Sequence, residues 1–178
     1  GNLSELTYLH LGNNRAYKLN GTIPNELGTL TKLTYLHLGY NKLTGTIPND
    51  LGKLTKLRFL VLKTNQLTGD IPFESLGNLR ELLHLRLGGN IELGGSLPSA
   101  LGKLTKLQYL DISYGKLKGT LPRSIGNLAE LKTIELQNNE LTGIIPSDFG
   151  KLTKLVESAI DLRDNDLSGC VPKCLDGC

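Results

Sequence analysis

Aliphatic residues return along this chain at one fixed set of offsets. In residues 30–53, LTKLTYLHLGYNKLTGTIPNDLGK, the apolar positions are Leu30, Leu33, Leu36, Leu38, Leu43, Ile47 and Leu51, with Asn41 before Leu43. The pattern restarts at Leu3, Leu30, Leu54, Leu79, Leu104, Leu128 and Leu152, at intervals of 24 to 27 residues, and tiles 1–178 as a single domain. A fixed period of this length is the mark of a solenoid, in which no copy can bury its apolar face except against its neighbours. Within a copy, Tyr35-Leu36-His37-Leu38 alternates with period two and predicts a short strand with its leucines turned inward. Strands about 4.8 Å apart stack into a parallel sheet roughly 30 Å across. Leu30, Leu33, Leu43, Ile47 and Leu51 are then the interior of the coil.

The remaining positions of the copy have turn chemistry. Asn14, Asn41, Asn65, Asn90, Asn139 and Asn165 stand where the chain bends inward. There an amide that donates and accepts can bond the turned backbone and tie coil to coil. Gly115 interrupts this column, and weaker bonding with faster amide exchange is expected over residues 114–117. Pro24, Pro48, Pro72, Pro98, Pro122, Pro146 and Pro172 follow an aliphatic residue that each pushes into an extended conformation. A short second strand around residues 44–47 is therefore predicted in place of a long helix. Gly28, Gly52, Gly77, Gly102, Gly126 and Gly150 are placed to end short helical turns in the left-handed region. Extra residues fall at Ala16-Tyr17-Lys18, Phe73-Glu74-Ser75, Ile91-Glu92 and Val156-Glu157-Ser158-Ala159, outside the strand cores, where insertions are tolerated.

The string LxxLxxLxLxxNxLxGxIPxxLGx, as it stands at residues 30–53, resembles the plant-type leucine-rich repeat. That repeat builds the ectodomains of receptor-like kinases and receptor-like proteins, and polygalacturonase-inhibiting proteins. The resemblance covers the whole chain. It implies an α/β repeat solenoid, a right-handed curved coil with a parallel β-sheet on the concave face. Short second strands and 3-10 or short helical turns would form its outer side. It also implies a secreted or cell-surface module that binds peptides, proteins or glycans on the concave face. Two departures stand out: the paired-cysteine cap with Trp that usually opens such proteins is unmatched, and neither a kinase nor a membrane-spanning segment follows. Gly1-Asn2 reads like the tail of a preceding copy, and the chain has no Met. A processed piece is expected, with further sequence once ahead of Gly1 or a partner against the first coil.

Composition narrows the function classes. Twenty Lys and Arg against 17 Asp and Glu leave +3, too little and too dispersed to point to nucleic acid. Folding the strands in register makes two outward rows. One holds Tyr8, Tyr35, Phe59, His84, Tyr109, Thr133 and Ala159; the other holds His10, His37, Val61, Arg86, Asp111, Glu135 and Asp161. Tyr40, Tyr114, Lys63 and Arg163 lie just beyond. Aromatic residues interleaved with Arg are the composition of binding hot spots, although strands favour aromatics anyway. Tyr8, His10, Tyr35, His37, Tyr40, Phe59, Lys63, His84, Arg86, Tyr109, Asp111 and Tyr114 are accordingly the expected ligand-binding residues. His10, His37 and Arg86 sit towards the start; Asp111, Glu135, Asp161, Asp164 and Asp166 sit towards the end. This polarity suits either an internal Arg86 to Asp111 salt bridge or a ligand with an acidic end over the first coils and a basic end over the last. His10 and His37 lack the further convergent ligands of a metal site. Ser113 has no histidine base beside it, so no triad is assembled. An enzyme, a metal or a cofactor is not expected.

The outer wall carries Thr22, Thr44, Thr46, Thr68, Ser96, Thr120 and Thr142, a surface that could suit ice or crystalline glycan, interrupted by Asp70, Lys118 and Ile144. Lys32, Lys56, Lys106 and Lys154 read as solubilising residues on an exposed edge. Cys170, Cys174 and Cys178 end the chain, in a C-terminal cap spanning 166–178. Three pairings are open; Cys170 with Cys178 closes the largest loop and is favoured, with a three-cysteine metal site as the rival. Disulfides and the sequons at Asn2 and Asn20 point to secretion, hence to an extracellular or cell-surface location. The expected function is an extracellular recognition module for a protein or peptide. An inhibitor of a secreted hydrolase, using the same face, and a structural or surface-binding protein, using the threonine wall, are the alternatives.

Overall fold

The computed structural model describes residues 3–13 and 17–169; Asn2, Asn14, the three cysteines and the expected cap beyond residue 169 lie outside them. Each coil contributes one strand to each of two seven-stranded parallel sheets. The inner sheet consists of β1 (Tyr8–His10), β3 (Tyr35–His37), β5 (Phe59–Val61), β7 (His84–Arg86), β9 (Tyr109–Asp111), β11 (Thr133–Glu135) and β13 (Ile160–Asp161). The outer sheet consists of β2 (Asn20–Thr22), β4 (Lys42–Gly45), β6 (Gln66–Asp70), β8 (Glu92–Ser96), β10 (Lys116–Gly119), β12 (Glu140–Ile144) and β14 (Asp166–Ser168). After Pro24, Pro48, Pro98, Pro122 and Pro146 the chain returns through a 3-10 turn, at Asn25–Thr29, Asn49–Lys53, Ser99–Lys103, Arg123–Asn127 and Ser147–Lys151. Coil three, which holds an extra residue there, makes one α-helical turn, α1 (Phe73–Leu76), with Phe73 buried. Between the sheets the strand residues Leu36, Leu60, Leu85, Leu110 and Ile134 are wholly buried. Each such burial contributes about 1.5–3 kcal/mol.

The two sheets differ in register. Inner strands pair without offset, so Tyr8 faces Tyr35, Tyr35 faces Phe59 and so on. Outer strands are staggered by two residues per coil. Thr22 therefore stands beside Thr44, and Thr44 beside Gln66, while Asp70, Gly94 and Lys116 form another row. The threonine columns expected on the outer wall are consequently slanted and mixed with charged residues.

The glycines of the short turns correct an expectation. Among the described residues, the positive-φ glycines are Gly21, Gly45, Gly69, Gly89, Gly95, Gly119, Gly143 and Gly169, and Gly28, Gly52, Gly77, Gly102 and Gly126 are not among them. Their requirement is space. A Cβ on Gly28 would lie 2.3 Å from the Asp50 carbonyl oxygen of the next coil, and one on Gly52 would lie 2.4 Å from that of Ser75. The lysines on the flank also do more than solubilise. Lys32, Lys106 and Lys154 reach Glu5, Glu81 and Glu130 of the preceding coil at 2.6, 2.6 and 2.5 Å. At half exposure such pairs contribute at most about 1 kcal/mol each.

Asparagine closes each turn. Asn65 Oδ1 accepts from the Leu43 N–H of the previous coil at 3.0 Å, and Nδ2 donates to the carbonyls of Leu38 and Leu62 at 3.0 and 2.9 Å. Asn41, Asn90, Asn139 and Asn165 repeat this arrangement. Just before each asparagine the backbone enters the left-handed region, at Tyr40, Thr64, Gly89, Asn138 and Asp164, as it does at Asn13 and, in coil five, at Tyr114. Gly115 removes the amide from coil five, yet the gap does not open over residues 114–117. The N–H groups of Tyr114, Gly115 and Leu117 still reach Gln137, Asn138 and Asn139 of coil six. The group that loses its asparagine is the Leu93 N–H of coil four, and it turns back to the Asn90 carbonyl at 2.9 Å. That turn exists because Ile91, exposed at 68%, is the extra residue of coil four. Insertion and substitution are thus complementary: a Cβ at Gly115 would sit 2.8 Å from the Leu93 carbonyl oxygen that the insertion brings near.

Two stability measurements follow from the ladder. Asn65→Ala strands several buried backbone groups and is expected to cost about 2–4 kcal/mol in denaturant unfolding; a loss under half that would contradict its role. Gly115→Asn and deletion of Ile91 should each lower the melting temperature, while the double variant recovers at least half of the loss. Simple addition of the two losses would show that the sites are independent.

Candidate functional site

The zero-offset register of the inner sheet delivers both outward rows intact. Along the first, ring centroids are 4.4 Å apart from Tyr8 to Tyr35, 5.5 Å to Phe59, 4.7 Å to His84 and 5.8 Å to Tyr109. Strand spacing near 4.8 Å sets this distance; Tyr8 with Tyr35 and His84 with Tyr109 are stacked, while Phe59 is tilted by 41° and 31° against its neighbours. Their faces are largely spent on each other, and a ligand meets ring edges and hydroxyls. In the second row His10 stacks on His37 at 4.3 Å and 14°. Burial, and then the charge of His10, hold the His37 imidazole below its ordinary pKa; burial followed by Arg86 does the same to His84. Burial, and then Tyr8, push the Tyr35 hydroxyl up.

The charged members of the second row do not pair as neighbours. Arg86 and Asp111 face one another in register, but no salt bridge joins them. Arg86 lies over the Tyr109 ring at 4.2 Å, and its Nε has no hydrogen-bond partner. Tyr109 donates its hydroxyl to Glu135, and burial together with that bond raises its pKa well above the usual range. Asp111, 1% exposed, folds down over Gly88, where a Cβ would lie 2.2 Å from its Oδ1. There it accepts from the Ser113 N–H and hydroxyl at 3.2 and 2.6 Å and pairs with Lys63 at 3.4 Å. Asp161 likewise bends to Arg163, 2.7 Å away. Asp111, Glu135 and Asp161 are therefore satisfied internally, and Asp111 belongs to the scaffold more than to an open surface.

One depression, about 280 Å³, gathers Tyr35, His37, Tyr40, Phe59, Lys63, His84 and Arg86, seven of the expected residues. Lys63 stands 5.9 Å from the Tyr40 ring centroid at its rim. Tyr8 and His10 lie at the edge strand, Tyr109 and Asp111 are engaged as described, and Tyr114 is exposed at 53% on the rim beyond. Val61 also lines the depression and is buried; its place in the outward row was the available signal. Ser113 and the glycines that give the row room, Gly39 and Gly88, carry no chemistry that sequence would single out. Two further hollows, of about 450 and 200 Å³, lie where the interior of coil one meets solvent around Leu3, Leu27 and Leu19. Asn20 is exposed on the outer edge strand β2. Among the described residues no group of His, Cys, Asp and Glu could hold a metal, and no helix is long and apolar enough to cross a membrane.

Comparison with known proteins places this geometry. A leucine-rich repeat family model matches residues 4–67 and 105–167, well over half of the chain. Among solved structures, the ectodomain of the Arabidopsis thaliana receptor kinase GASSHO1/SCHENGEN3, in complex with CASPARIAN STRIP INTEGRITY FACTOR 2, is 41% identical with a TM-score of 0.89. The alignment covers 98% of this chain and 20% of that one. The Arabidopsis receptor kinase HAESA, in complex with the peptide hormone IDA and the co-receptor SERK1, is 34% identical with a TM-score of 0.88, covering 97% and 28%. A plant ice-binding protein is 25% identical with a TM-score of 0.64, covering 94% and 67%. No curated protein sequence matches the chain. The chain thus spans between a fifth and a third of the length of these receptors. It belongs to the leucine-rich repeat family.

Proposed function

We propose that this chain is an extracellular binding module for a peptide or extended protein segment that crosses the inner face over coils two to four. The observation that carries the proposal is the depression in which ring edges, two imidazoles, Lys63 and Arg86 converge. Edge-on aromatics with Arg at the centre of a face are the usual anchors of protein recognition. The charge balance refines the reading. Asp111, Glu135 and Asp161 have internal partners, whereas the Arg86 Nε has none. With Lys63, Arg86 and two imidazoles lining the depression, the proposed ligand carries an acidic group over coils two to four. The similar receptor kinase HAESA, crystallised with the peptide hormone IDA, supports a peptide as the ligand class. An exposed Asn20 within Asn20-Gly21-Thr22 suits glycan attachment outside the cell.

A hydrolase inhibitor would use the same face and would form a stoichiometric complex that lowers the enzyme's rate. An ice- or glycan-binding wall has the likeness to a plant ice-binding protein in its favour. Against it stand the staggered outer strands and the charged rows of Asp70, Lys116 and Lys118. The test is a random dodecapeptide library displayed on phage and panned on the purified chain. Phe59→Ala and Arg86→Ala are expected to weaken the selected peptides about tenfold or more each, with melting temperatures close to wild type. Thr46→Ala and Thr120→Ala on the outer wall should bind as wild type does. Loss of binding in the threonine variants alone would move the site to the outer wall.

A further inference from the structure

The stacked histidines at the start of the second row suggest a regulation of this same face. The His10 and His37 rings are 4.3 Å apart and nearly parallel. Two imidazolium charges at that separation repel strongly, so a charged ring in the stack favours a carboxylate brought against it. His37 is also fixed in place. Its Nδ1 accepts the Gly39 N–H at 3.3 Å, which leaves its own proton on Nε2. Gly12 gives the ring room, since a Cβ there would lie 2.1 Å from His37 Nδ1.

The groups around the pair determine what its charge can meet. β1 offers Tyr8, β3 offers Tyr35, and β5 offers only Phe59 and Val61. The rim supplies Tyr40 and Lys63, and β7 supplies His84 and Arg86. Along the row the first carboxylate is Asp111, on β9, and it is held by Ser113 and Lys63. Among the described residues none is placed to neutralise a proton gained by the histidines.

We infer that the His10 and His37 stack is a proton-dependent contact, which on taking up a proton recruits a carboxylate of the ligand and makes binding tighter in mild acid. The inference rests on the inner-face reading above and adds its control by pH. The sign for the free chain is consistent. The folded pKa of His37 is lowered from 6.5, by burial first and then by His10. The associated stability is present above about 6.5 and is lost as pH falls through the lowered value. An acidic ligand offsets that loss, because its carboxylate raises the histidine pKa again.

The experiment uses the whole chain and one peptide selected from the dodecapeptide library, measured by titration calorimetry at pH 5.5 and 7.5 in buffers of different ionisation enthalpy. The expected result is affinity about tenfold tighter at pH 5.5 with uptake of close to one proton, since one linked proton changes affinity up to tenfold per pH unit. The same peptide with its Asp and Glu changed to Asn and Gln should lose the pH dependence, as should the His10→Gln and His37→Gln variants. Proton uptake by the wild-type chain serves as the readout if either variant misfolds. Equal affinity at both pH values without proton uptake overturns the inference, as does pH dependence that persists in the double variant. If binding is pH-independent but still lost in Phe59→Ala, proton control fails alone. If no peptide is selected at either pH, it fails together with the inner-face reading.

Discussion

Each coil of this protein must turn inward at the end of its inner strand, and in coils two, three, four, six and seven one asparagine amide makes the turn tolerable. The turn leaves backbone groups in a nearly dry interior, where an unpaired N–H or carbonyl costs about 1–3 kcal/mol. Asn41, Asn65, Asn90, Asn139 and Asn165 settle three or four groups apiece, and two of those bonds belong to the preceding coil. Closing the turn and joining the coils are thus one act. Removing an amide has to be answered locally, as the Ile91 turn answers Gly115.

The same ladder sets the geometry of the face. Because it fixes each coil against the last, the inner strands stack without offset and their outward residues form straight rows. Strand spacing then presses ring against ring and presents edges to solvent. On such a face the difference between scaffold and site lies in what each polar group already holds. Asp111 reaches past a glycine to bury itself, while Arg86 spends its plane on Tyr109. The charge polarity read in sequence is thus partly settled within the face itself.

Much of this was legible in the leucines. Their spacing gives the coils, the alternation at Tyr35-Leu36-His37-Leu38 gives the inner strand, and the asparagine column gives the ladder. The rows could be read by aligning copies, because inner-strand register follows the repeat. Outer register could not, since two residues of stagger leave the period unchanged. Turn glycines were assigned a backbone angle when their constraint is a neighbouring carbonyl, a contact between coils that no single copy contains. Asp111 was placed among the ligand-facing residues because alternation specifies which way a side chain leaves the strand. It does not specify that a glycine one coil away lets the side chain lie down. Gly115 looked like a defect because its compensation sits 24 residues earlier, in an insertion that reads as incidental.

Hydrogen exchange of the chain, free and saturated with a library-selected peptide, decides between the faces in one measurement. Binding on the inner face predicts slowed amides at and just after β3, β5 and β7, in residues 35–40, 59–64 and 84–89, with β4, β6, β8 and β10 unchanged. Slowing confined to those outer strands, with the inner ones unaffected, would contradict it.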